Sequence, residues 1–260
     1  MAKLEYRTLR VELQESICTL QIHRPEANNT IDDQLVRDCH EVLSRCEDST
    51  TVIVLSGSPE IFCLGADFNK LAAPSPSAAG ESASPSALYD LWQRLATGPF
   101  VTVAHVRGKT NAGGIGFIAA CDIVLADATS TFSLSELLFG LYPACVLPFL
   151  VRRVGYQKAH YLTLMTQPIG AQTAHEWGLV DAFDAQSEVL LRRHLLRLRR
   201  LSKTAIQRYK RYMEQIRQSV PLAELKQRAV AANLEVFSDP ENLAAIARFV
   251  DRGVFPWEKP

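Results

Sequence analysis

The stretch NAGGIGFIAACDIVLADATSTFSLSELLFG runs from Asn111 to Gly140, and its reading decides the fold. GGIGFIAA (113–120) is a short apolar run, of a length that suits a buried helix. CDIVLAD (121–127) is β-branched and apolar, and so is VTVAHVRG (101–108) before it. Strand, helix and strand in that order predict an α/β fold with a parallel sheet. Gly113 and Gly114 lack a Cβ, which lets another group lie close to their backbone. Glu136 is the only acid between Asp127 and Glu176. It reads as a base or acid in an apolar setting. The alternative is a capping box, because SLSE places a glutamate three residues after Ser133.

Working outward, TVIVLSGS (51–58) is too apolar for an edge strand. Leu9, Val11 and Leu13 alternate, as do Cys18, Leu20 and Ile22, which predicts two strands around a turn. Ile31, Leu35, Val36, Cys39, Val42 and Leu43 form a helical stripe. Ala72–Ala87 is rich in Ala, Ser and Pro and reads as a loop, either a lid beside a site or a tolerated insertion. From Ser187 onward the pattern is helical, and Asp239-Pro240 gives the last helix an N-cap and a first-turn proline. The division predicted is an α/β core over residues 1–186 and a helical region over 187–260.

Lys+Arg and Asp+Glu both number 28, so bulk charge points to neither nucleic acid nor membrane. No apolar run reaches spanning length, and a cytoplasmic protein is expected. Six scattered cysteines without CxxC pairs predict buried free thiols. The six histidines form no ligand spacing, so no metal is expected. Charge is uneven locally. Residues 192–211 hold nine Lys/Arg and no acid, with Leu191, Leu195 and Leu198 spaced to face a core.

Four segments together resemble the crotonase, or enoyl-CoA hydratase/isomerase, superfamily. They are IHRPEANNTI (22–31), SGSPEIFCLGADFNKL (56–71), NAGGIGFIAACDIVLADATSTFSLSELLFGLYPA (111–144) and AHEWGLVD (174–181). The resemblance covers nearly the whole chain. Within the superfamily it is most like the dehydratases of polyketide β-branching. It implies a crotonase (ClpP/crotonase-like) fold with a ββα spiral core and a C-terminal helical trimerisation region. It also implies a homotrimer or dimer of trimers, with helices after Ser219 packing on neighbouring subunits through Leu222, Leu225, Val230, Leu234 and Phe237.

The resemblance assigns the backbone N–H groups of Ala66 and Gly113 to an oxyanion hole, and Glu136 to proton transfer. Family hydratases carry a second glutamate three residues beyond the oxyanion glycine. Here that position is Gly116. A single glutamate resembles the isomerases and the β-branching dehydratases. The expected reaction is dehydration of a 3-hydroxy-3-methylglutaryl-type thioester to the 3-methylglutaconyl thioester. No prosthetic group is implied, because the substrate rides on phosphopantetheine, as coenzyme A or an acyl carrier protein. Leu64, Gly65, Asp67, Phe68, Asn111, Gly114 and Tyr142 are expected to line the substrate path. Arg24, Arg199, Arg200, Arg208 and Lys210 are expected to meet the coenzyme A phosphates or an acidic carrier protein. The rival readings are an enoyl-thioester isomerase or hydratase, the decarboxylase of the same cassette, and an inactive carrier-binding scaffold.

Overall fold

The computed structural model describes residues 2–68, 84–216 and 221–258; residues 72–83 of the Ala/Ser/Pro-rich loop lie outside them. The first strands are β1 (Ala2–Glu5), β2 (Leu9–Gln14) and β3 (Ile17–Ile22). They form an antiparallel meander. Helix α1 (Asp33–Cys46) follows, with the Asp32 side chain accepting from the Leu35 N–H as its cap.

The chain then winds through three similar turns. Each places one strand in a large sheet and the next in a small one. The pairs are β4 (Val52–Ser56) with β5 (Ile61–Cys63), β6 (Val101–Val106) with β7 (Lys109–Asn111), and β8 (Ile123–Asp127) with β9 (Thr131–Ser133). Helix α2 (Pro85–Thr97) precedes the second turn of this spiral, and α3 (Gly113–Ala120) closes it. Among the described residues the large sheet runs β1-β2-β3-β4-β6-β8-β11, with β11 at Ala182–Asp184. The small sheet runs β10-β9-β7-β5, with β10 at Ile169–Gly170. From β3 to β11 every pairing in the large sheet is parallel. This is the ββα spiral of the crotonase fold.

The apolar reading of β4 holds because the strand is buried along its whole length. Helix α3 is buried at every residue after Gly113, as its uniformly apolar sequence requires. All six cysteines are free and buried.

Helices α4 (Leu147–Val154), α5 (Tyr156–Met165) and α6 (Ala171–Glu176) lead into β11. The basic segment forms α7 (Ser187–Leu198) and the start of α8 (Lys203–Gln215), and Leu191, Leu195 and Leu198 face the sheet as expected. Helices α9 (Leu222–Ser238) and α10 (Pro240–Arg252) complete the described fold. Leu222 is buried in the chain's own core, and Val230 and Phe237 pack against its own clusters. The Tyr89 hydroxyl donates to the Leu222 carbonyl at 2.7 Å, and Lys226 pairs with Asp90 at 2.7 Å. Leu225 is half-buried, and Leu234 is 53% exposed.

Candidate active site

The small sheet stacks successive turns of the spiral at one place. Ile31 bridges Ala66 in parallel, and the Ile31 N–H donates to the Gly65 carbonyl at 2.7 Å. Because the Gly65 carbonyl makes that bond, the Ala66 N–H is directed away from the Ile31 chain. Gly65 has φ +85°, and a Cβ there would meet Ala112 Cβ at 2.5 Å and Gly113 N at 2.9 Å. The absent side chain is what lets the Ala66 and Gly113 segments touch.

Gly113 is the first residue of α3, so its N–H belongs to the first-turn donors that no helix carbonyl accepts. The residue before it, Ala112, has φ 51° and ψ −123°. A non-glycine residue in that region is strained by roughly 1–3 kcal/mol. The strain turns the chain sharply from β7 into α3 and sets the direction of the Gly113 N–H.

The next turn of the spiral brings in Glu136. The Ala112 N–H donates to the Ser133 carbonyl at 3.1 Å, and Asn111 stands opposite Ser133 in the ladder. Three residues after Ser133, Glu136 opens a 3-10 turn, Glu136–Phe139. Ser133 is in a strand and no side chain caps the turn, so the capping-box reading fails. Glu136 is only 6% exposed, and its Oε2 has no hydrogen-bond partner. Burial pushes the carboxyl up to about 7, and bonds from the Glu136 and Ser135 backbone N–H groups partly offset it. A buried carboxyl that titrates near neutrality suits proton transfer.

The other expected residues divide. Leu64, Ala66, Asp67 and Phe68 are half-buried along the segment that meets Gly113. Phe68 packs edge-on against Phe139, with ring centroids 5.2 Å apart, and so joins this segment to the Glu136 turn. Gly114 is buried instead of open to substrate. A Cβ there would stand 2.3 Å from the Cys63 carbonyl, so β5–α3 packing requires this glycine. Tyr142 packs with the Phe139 cluster and also lines a cleft of about 1070 Å³ with Leu147, Val151, Tyr209 and Met213. That cleft includes none of Glu136, Ala66 or Gly113. The Asn111 amide is engaged at both ends within the chain: Ser133 Oγ donates to Oδ1 at 2.9 Å, and Nδ2 donates to Ser135 Oγ at 2.8 Å.

Two cations expected to meet phosphate are likewise committed. Arg24 is 7% exposed, pairs with Asp32 at 2.7 Å and donates to the Thr30 carbonyl. Its charge holds the turn after β3. Lys210 bonds Asp122 at 2.7 Å and the Phe100 carbonyl at 3.0 Å. Asp122 also accepts from the Thr102 N–H, so this lysine completes the coordination of a half-buried acid. Arg199, Arg200 and Arg208 are exposed, and Arg199 comes within 3.8 Å of Glu15.

Sequence reasoning missed Trp92. This side chain is 1% exposed, and its ring lies 2.5 Å from where a Cβ on Gly116 would stand. The indole fills the space a side chain at 116 needs. Its partner lies on a different helix, so no local pattern announces the contact.

A model of the enoyl-CoA hydratase/isomerase family matches residues 12–260. The chain belongs to that family. It is an enzyme of the hydro-lyase kind, and hydratases of the family act on thioesters without a prosthetic group. It is 57% identical to the bacillaene synthase dehydratase PksH of Bacillus subtilis (strain 168), over 99% of both chains. The crystal structure of a polyketide biosynthesis enoyl-CoA hydratase (pksH) from Bacillus subtilis matches with TM-score 0.92 and 56% identity. That match covers 97% of this chain and 100% of the other. An enoyl-CoA hydratase structure from Streptomyces avermitilis matches with TM-score 0.80 and 25% identity, over 96% and 93%. Among the described residues no group of His, Cys, Asp and Glu is placed to hold a metal, and no helix is long and apolar enough to cross a membrane.

Proposed function

We propose that the protein dehydrates a 3-hydroxy-3-methylglutaryl-type thioester in polyketide β-branching. The single observation that carries this reading is one buried carboxyl, Glu136, beside two backbone donor segments with no second acid at Gly116. The likeness to a bacillaene synthase dehydratase supports it.

The Glu136 carboxylate removes the C2 proton, and the electrons move into the thioester to give an enolate. The Ala66 and Gly113 N–H groups hold the enolate oxygen; one such donor is worth about 3 kcal/mol of barrier. The enolate then collapses to a C2–C3 double bond and expels the C3 hydroxyl. The same Glu136, now protonated, gives its proton to that hydroxyl, which leaves as water. The carboxylate is regenerated and one acid suffices for the cycle. An acyl carrier protein delivers the substrate, steered by Arg199, Arg200 and Arg208, and the enzyme works as a trimer or dimer of trimers in the cytoplasm.

The test is incubation with 3-hydroxy-3-methylglutaryl carrier protein and mass measurement of the acyl group. Loss of one water is expected. Loss of carbon dioxide identifies a decarboxylase instead. An unchanged acyl group, with double-bond migration in an enoyl thioester given separately, identifies an isomerase.

A further inference from the structure

Asn111 ends β7, one residue before the strained Ala112 and two before the Gly113 donor. Its side chain reaches across the small sheet. Oδ1 accepts from Ser133 Oγ at 2.9 Å, and Nδ2 donates to Ser135 Oγ at 2.8 Å. Ser133 and Ser135 are the hydroxyl residues that lead the chain into Glu136. Ser135 has φ −107° and ψ 0°, a sparsely populated conformation that something must hold. Ser135 is the residue immediately before Glu136, at the entry of the 3-10 turn that carries the carboxyl. One amide thus links the strand that aims the oxyanion donor to the residue from which the Glu136 turn starts.

We propose that Asn111 is a positioning residue: acting through Ser135, it fixes Glu136 relative to the Gly113 N–H. The inference rests on the dehydratase reading above. An amide is suited to the task because it offers one acceptor and one donor at the same time. Alanine offers neither. Aspartate keeps the acceptor for Ser133 and lets the Ser135 hydroxyl turn and donate, but it adds a negative charge. That charge disfavours ionisation of a neighbouring carboxyl.

The experiment compares wild type, Asn111→Ala, Asn111→Asp, Ser135→Ala, the Asn111→Ala/Ser135→Ala double variant and Glu136→Gln. The probe is a 3-hydroxy-3-methylglutaryl pantetheine thioester, followed from pH 6 to 9. Glutamate-labelled protein is titrated in parallel by carbon NMR, with Glu136→Gln used to assign the signal. In Asn111→Ala, kcat should fall by about 100-fold, the scale of an ångström misplacement. KM should stay within about twofold. The double variant should be no worse than the poorer single one, because both changes cut the same link. Asn111→Asp should recover activity at high pH, with its rate profile and the Glu136 signal moved together to higher pH. It keeps the volume of asparagine, so it carries the test if the alanine variant fails to fold. Normal kcat in Asn111→Ala overturns the proposal. So does a raised KM with kcat kept, which makes Asn111 a substrate ligand, or an unmoved Glu136 titration in Asn111→Asp. An active Glu136→Gln overturns the dehydratase reading itself, whereas an inactive one beside a normal Asn111→Ala sinks this proposal alone.

Discussion

The Trp92 indole occupies the space that a side chain at Gly116 would need, with ring carbons at 2.5, 2.6 and 2.7 Å from the Cβ position. A side chain at position 116 is therefore crowded by the indole, and a second carboxyl there meets it. Gly116→Glu should lower stability by about 3 kcal/mol or more, from overpacking together with an unpaired buried acid. Urea unfolding of the variant measures this; a loss under 1 kcal/mol would mean that Trp92 moves aside at little cost.

Activity should rise with pH through about 7, the value to which burial raises Glu136, because the carboxylate is the base. No charged neighbour contributes to the shift, so salt should leave the midpoint in place. A kcat/KM profile at two salt concentrations checks both statements.

The same burial has a stability cost whose sign differs from the usual acid. The folded carboxyl titrates at about 7 and the unfolded one near 4.5, so the folded state holds its proton more tightly. Its contribution is fully present below pH 4.5 and is lost as pH rises through 7. Glu136→Gln should therefore be inactive yet more stable above pH 8, by up to about 3 kcal/mol, with little gain at pH 5. Denaturant unfolding at the two pH values reads the difference.

Ala112 holds a backbone conformation that glycine adopts without strain. Ala112→Gly should raise stability by about 1 kcal/mol, the relief of strain exceeding the added unfolded-state entropy. A lower melting temperature would show that the alanine methyl contributes packing that outweighs the strain.

Changing Arg199, Arg200 and Arg208 together to Glu should raise KM for a carrier-linked substrate and leave the short pantetheine thioester unaffected. All three are exposed, and exposed charges act mainly on encounter. Kinetics on both substrates at two salt concentrations distinguish this from misfolding, which would depress both activities equally.

The parallel centre of the large sheet was legible because Val52–Ser56, Val101–Val106 and Ile123–Asp127 are short, mostly apolar and β-branched runs, as suits strands buried on both faces. The small sheet was not legible. Its strands are two or three residues long, and Lys109–Asn111 and Thr131–Ser133 are too short and polar to show a period. Those strands carry the site, so Glu136 and Gly113 were found through motif resemblance rather than through the sheet that joins them. Helix α2 was partly hidden, since the low-complexity run extends into its first residues. Arg24 and Lys210 were misread because a sequence displays charges without their partners, and Asp32 and Asp122 neutralise them in the fold.

The end of the chain is wired to the Glu136 turn by stacked rings. Trp257 lies on Phe255 at 4.7 Å and 16°, and Phe255 packs on Phe249 and Phe139. Trp257 is 59% exposed, while Trp92 is buried against α3, so the two indoles report different surroundings. Replacing Trp92 and Trp177 with Phe would leave Trp257 as a native fluorophore at the far end of this aromatic relay. Its emission would then follow movement of the Phe139 turn in real time, without any attached dye.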